Sequence, residues 1–226
     1  MVDEMESALN PAGEIEGRVS VGASALLLET RVGELVRECR RRYPKVHVSP
    51  RALDIARAAD TVRDGGADLV LVHGDCAPAN QAGIVVDELP GLEVVPVGPA
   101  SLARAADPSL ALAGLPVLAV DPDCDSHHVL VSALRELHGL DPQVVEAGSV
   151  GGARELVRVG YGIAMLPAES VRSATGADGM AVIPGLPRVR LGARLLWLGP
   201  ERSLSAVSAV SAVATRQSRQ LVPQAA

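Results

Sequence analysis

The chain has 226 residues, 48% of them apolar, which is enough for one large domain or two small ones and for a substantial buried core. Its net charge of −6 and 1% aromatic content argue against a stand-alone nucleic-acid binder, since phosphate contacts need clustered Lys and Arg and single-stranded readers need stacking rings. Three cysteines (Cys39, Cys76, Cys124) are too sparse for a disulfide framework. The acidic start, MVDEMESALNPAGEIEG, lacks the features of a signal peptide, and no apolar run approaches the ~20 residues that span a bilayer. The expected setting is cytoplasmic, with no membrane partner.

In chain order, RVSVGAS (18–24) predicts a strand and 25–42 a helix ending before Tyr43-Pro44. VHVSP (46–50) predicts a second strand. Asp54 is placed as N-cap of a helix over 55–64, stopped by Gly65-Gly66. ADLVLVHG (67–74) is a nearly continuous apolar run, as a buried parallel strand should be, and LEVVPVG (92–98) is another. The pattern restarts with strand 115–121, helix 126–139, strand 143–148, helix 149–160 and strand 162–167. RVRLGARLLWLG (188–199) supplies one or two strands, and 203–221 closes as a helix.

Strands alternating with helices imply an α/β fold with parallel sheets, and two such series imply two lobes. Ligands of such sheets bind at the carboxyl ends of strands, where helix N-termini gather. The residues expected there are Ala23, Ser24, Ala25, Asp54, Ile55, His73, Gly74, Pro122, Cys124, Ser126, His127, Ser149 and Val150. Ser24, Ser126 and Ser149 each stand where a helix begins. Each either caps its helix or offers a hydroxyl beside backbone N–H groups. Ser24→Ala and Ser126→Ala are expected to weaken ligand binding and leave the fold nearly intact. The glycines of GSVGG (148–152) are expected to let backbone N–H groups approach a ligand.

The stretch DPDCDSHH (121–128) also has metal-ligand spacing, and Cys124, His127 or His128, His73 and Cys76 could form a Cys2His2 set. Those pairs fall in different lobes, so no metal or other cofactor is expected. A redox pair of Cys76 and Cys124 is the sharper alternative and needs Cα atoms within ~7 Å. Cys39 reads as packing. No hydrolase, metalloprotease or phosphate-loop motif stands in its required context, so no enzyme is expected.

GRVSVGASALLLETRVGELVRECRRRYPKVHV (17–48) resembles the opening of the effector-binding domain of LysR-type transcriptional regulators. The resemblance continues through VRDGGADLVLVHG (62–74), EVVPVG (93–98), PDCDSHH (122–128) and ELVRVGYGIAMLP (155–167). It implies a periplasmic-binding-protein type II-like fold, with two Rossmann-like lobes joined by two crossover strands. Residues 1–13 would be the remnant of a linker helix, 14–97 with 191–222 lobe I, and 98–190 lobe II. The family's N-terminal winged helix-turn-helix has no counterpart here, so DNA would be bound only through that missing domain. The resemblance further implies a small-molecule effector held between the lobes, and a homodimer, or a tetramer in the full-length protein. A free-standing cytoplasmic solute-binding receptor of the same fold is the alternative. Three positions depart from the family pattern: His127 stands where arginine is common, Asp123 replaces a glycine, and Ile55 replaces a hydroxyl residue.

Overall fold

The structure is a computed structural model and describes residues 15–74, 83–105, 107–120, 126–171 and 179–220. The chain divides into two compact units, Met1–Pro90 with Gly192–Ala226, and Gly91–Leu191.

The first unit opens with β1 (Gly17–Ala23), followed without a break by α1: a turn at Ala25–Leu27, a π-helical segment at Leu28–Val32 and an α-helix at Gly33–Arg42. Then come β2 (Val46–Ala52), a 3-10 turn at Ile55–Arg57, α2 (Ala58–Arg63) and β3 (Leu69–His73). β1 pairs in parallel with β2 and β3, with Ala23 opposite Ala52 and Leu71, so both carboxyl ends flank that of β1. All five residues of β3 are buried, as the continuous apolar run requires. On one face, Val70 and Val72 join Ile55, Ala58, Ala59, Val62, Ala67 and Leu196 in a core cluster. The final helix, α7 (Ser205–Gln220), packs against α1 and β1.

The chain leaves this unit along β4 (Val85–Pro99) and returns along β9 (Val189–Trp197). β4 is longer than the strand expected at 92–98. Its early half contains Pro90-Gly91, and the strand runs straight through the pair. Gly91 explains this: a Cβ there would lie 2.7 Å from the Leu191 carbonyl oxygen, so the glycine admits a close backbone approach instead of a bend. β9 is one strand, not two. It pairs antiparallel with β3, and within the first unit it meets β4. There the indole N–H of Trp197 donates to Asp87 (2.8 Å) and Arg194 donates to Glu88 (2.8 Å).

The second unit adds α3 (Pro108–Leu112), β5 (Val117–Ala119), α4 (Ser126–His138), β6 (Val144–Glu146), α5 (Val150–Arg158), β7 (Ile163–Pro167), α6 (Ala168–Val171) and β8 (Met180–Val182). Its strand order is β4-β7-β5-β6, with β8 on β4. β5 pairs in parallel with β6 and β7, whereas β4 is antiparallel to β7 and β8. The short α3 and β8 were not expected, since neither has the length or periodicity to stand out. Gly98 packs where a Cβ would meet Leu102, Ile163 and Ile183 within 3.0 Å.

Candidate functional site

The expected residues that are described follow the carboxyl ends of parallel strands in each unit. In the first unit Ala23 ends β1 and Ala25 begins α1, with Ser24 between them. Ser24 has 0% exposure. Its amide donates to the Leu71 carbonyl (3.1 Å), and its own carbonyl accepts from Leu28 N–H (2.8 Å). Its Oγ accepts from Leu27 N–H at a long 3.4 Å and lies 2.8 Å from His73 Nδ1. His73, the last residue of β3, is 1% exposed. When Nδ1 is the bare nitrogen, Ser24 donates its proton to the ring. When Nδ1 carries the proton, the ring donates and the hydroxyl proton is released to another acceptor.

This pairing escapes sequence reading because it depends on register. Both residues are expected at strand ends, but only the parallel alignment of Ala23 with Leu71 brings the hydroxyl onto the ring. Gly74 follows at φ +71°, a left-handed turn that glycine makes without strain. Asp54 accepts from Ala56 N–H (2.9 Å) and so caps the 3-10 turn. Ile55, 3% exposed, turns its side chain into the core cluster.

In the second unit Ser126 opens α4, and His127 is buried at 5% exposure, its ring tilted against that of exposed His128 (centroids 4.0 Å apart). Ser149 caps α5 through Oγ, which accepts from Gly152 N–H (2.9 Å), and Val150 is buried. The glycines after Ser149 were expected to expose N–H groups to a ligand. The Gly152 amide is instead taken by the cap, and a Cβ at Gly152 would lie 2.7 Å from the Ala147 carbonyl oxygen. Tight packing accounts for that glycine. Pro122 and Cys124, with Cys76, Asp123 and Asp125, lie outside the described residues.

Among the described residues no group of three or more His, Cys, Asp or Glu side chains is placed to hold a metal ion. Cys39 lies buried in α1, where burial pushes its thiol up to about 11 and keeps it protonated. Among the described residues no helix is long and apolar enough to cross a membrane.

Residues 12–219 match the model of the LysR substrate binding domain. The chain belongs to that family. Among curated proteins, the chain is similar to a probable nitrogen assimilation transcriptional activator of Synechococcus elongatus, 29% identical over 170 residues. That alignment covers 74% of this chain and 54% of the activator, so it spans about half the relative's length. The regulatory domain of HypT from Salmonella typhimurium superposes with a TM-score of 0.72 at 16% identity, covering 92% of this chain and 98% of that one. DarR of Vibrio fischeri, solved in complex with DNA, gives a TM-score of 0.71 at 19% identity over 95% of this chain and 74% of its own. ArgP from Mycobacterium tuberculosis gives 0.70 at 14% identity, with 95% and 73% covered. The fold of this LysR-family domain is thus α/β, periplasmic-binding-protein type II-like. The family is one of transcriptional regulators, not of enzymes.

Proposed function

We propose that the chain is the effector-sensing and dimerisation domain of a LysR-type transcriptional regulator, working in the cytoplasm, with DNA contacted through another part of the whole protein. The observation that carries this reading is the family match over 12–219, almost the full chain. The net charge of −6 supports leaving DNA to another segment. The effector is a small metabolite received at the strand carboxyl ends, where Ala25 and Leu26 bring amide groups that precede the first intrahelical bonds. It acts by preferring one conformation of the domain, a shift of populations. Dimerisation uses α1 and α7, which lie side by side in the first unit.

The test is a thermal-shift screen of carboxylates, aromatic acids and amino acids, followed by calorimetry of the best compound on Ser126→Ala and Ser149→Ala. Losing a hydrogen bond to a charged ligand group costs about 1.5–3 kcal/mol, or roughly ten- to a hundredfold in affinity. Unchanged affinity in both variants would remove the strand-end residues of the second unit from the site. Sedimentation at tens of micromolar tests the dimer, and a monomer alone would count against it.

A further inference from the structure

We propose that the second unit carries another small-molecule site, at the amino ends of β5 and β6, for a compact apolar ring or branched chain bearing an amine or hydroxyl. A cavity of about 250 Å³ lies there, walled by Leu112, Leu115, Pro116, Leu134, Leu140 and Pro142. It lies at the opposite ends of the strands that lead to Ser126 and Ser149, so it is separate from the effector positions of this unit.

The cavity exists because its walls cannot close. The segment before β5 is tied down by Leu115 N–H donating to the Leu112 carbonyl (3.1 Å). The segment before β6 is tied by Leu140 N–H donating to Leu134 (3.2 Å) and by Val117 N–H donating to the Gln143 carbonyl (2.8 Å). Gly114 (φ +83°) and Gly139 (φ +65°) make the turns, and at both the space a Cβ would take is empty. Pro116 and Pro142 remove further freedom. The chain contains no phenylalanine, so no ring side chain of that kind is available to fill the gap.

The rim sets the ligand's head group. Asp141 receives both Arg135 bonds on Oδ1 (2.8 and 2.5 Å), which leaves Oδ2 for another donor. The exposed side-chain amide of Gln143 lies in the lining and can donate or accept. Among the described residues the one charged side chain in the lining is Asp141, paired on Oδ1 with Arg135. A donor head therefore fits Oδ2, whereas a carboxylate brings no proton to it.

The experiment is a protein-observed NMR titration of the full chain with benzylamine, benzyl alcohol and benzoate. Benzylamine and benzyl alcohol are expected to shift the amides of 112–116 and 139–143 saturably, with dissociation constants on the order of 1 mM for ligands of this size. Benzoate should bind there about tenfold more weakly or not at all. Leu140→Phe fills the cavity and abolishes both shifts. Asp141→Asn weakens benzylamine about tenfold and leaves benzyl alcohol within about twofold, because only the ammonium gains from the charge. That exposed substitution is mild enough to decide the matter even if Leu140→Phe unfolds the chain. Shifts confined to the loops holding Ser24, Ser126 or Ser149, or a Leu140→Phe variant that binds as before, would overturn the proposal. Both outcomes leave the effector reading standing on its own screen.

Discussion

Ser24→Ala should destabilise the domain far more than a lost helix cap would. The substitution strips the Leu27 amide of a long 3.4 Å acceptor and leaves His73 Nδ1, 1% exposed, without its 2.8 Å partner. A lost cap costs about 1 kcal/mol, and a buried polar atom left unsatisfied costs about 1–3 kcal/mol. The sum is about 2–4 kcal/mol. For a chain of this length each kcal/mol lowers the melting temperature by about 2–4 °C, so the drop is roughly 4–16 °C. Ser149→Ala is the internal control, because its half-buried hydroxyl caps Gly152 at 2.9 Å with no buried ring depending on it, and it should lose only about 2–4 °C. Adding His73→Leu to Ser24→Ala removes both partners, which restores part of the loss and appears as a coupling of about 1 kcal/mol or more in a double-mutant cycle. Urea and thermal unfolding of the four species measure it. If Ser24→Ala costs no more than Ser149→Ala, or the cycle shows no coupling, the buried pair does not act as the geometry states. Sequence reasoning expects this serine to affect binding while sparing the fold, so the melting curve separates the two readings.

Other outcomes follow from the same structure. Gly91→Ala puts a methyl 2.7 Å from the Leu191 carbonyl oxygen and should cost about 1–3 kcal/mol in unfolding, whereas Gly192→Ala, with nothing within 4 Å, should be neutral or slightly stabilising. The guanidiniums of Arg41 and Arg42 hold the Glu38 carboxyl down at about 2 from its ordinary 4.5. Its contribution to stability is therefore complete above about pH 4.5 and is lost as the pH falls toward 2, which carboxyl-carbon NMR of wild type against Glu38→Gln will show. Burial raises the Cys39 thiol from 9.0 to about 11, so stability falls as alkali ionises the unfolded chain first, between those two values. Native protein at pH 8 should for the same reason leave Cys39 unalkylated in peptide mapping.

Much of the architecture was legible because burial on two faces writes itself as uninterrupted Val and Leu. LVLVH and IAMLP are read as strands from that alone, and both are buried throughout. At Ser149 two uses of the hydroxyl stayed open in the sequence, a helix cap or a ligand contact, and the structure shows the cap to Gly152 N–H. The early half of β4, ahead of the strand expected at 92–98, was not legible, because Gly91 is set by its close approach to Leu191, a partner a hundred residues away. Ile55 illustrates a second limit: a residue just past a capping aspartate can face the ligand side or the core, and the 3-10 turn sends it to the core. The Ser24–His73 bond and the cavity beneath β5 depend on strand register and loop closure, neither of which one segment encodes by itself.

Trp197 is the only tryptophan of the chain, which has two tyrosines and no phenylalanine. Its indole is 7% exposed and its N–H is held by the Asp87 carboxylate at 2.8 Å, in the strand pair through which the chain leaves and re-enters the first unit. Indole emission therefore comes from one spot, with no second indole to subtract. A carboxylate fixed beside that ring biases its excited-state dipole, so any small slip of β4 against β9 changes the emission colour. Asp87→Asn supplies the reference spectrum with the charge removed and the shape retained. The domain thus carries an internal optical gauge of the β4–β9 pair, readable without attaching a dye.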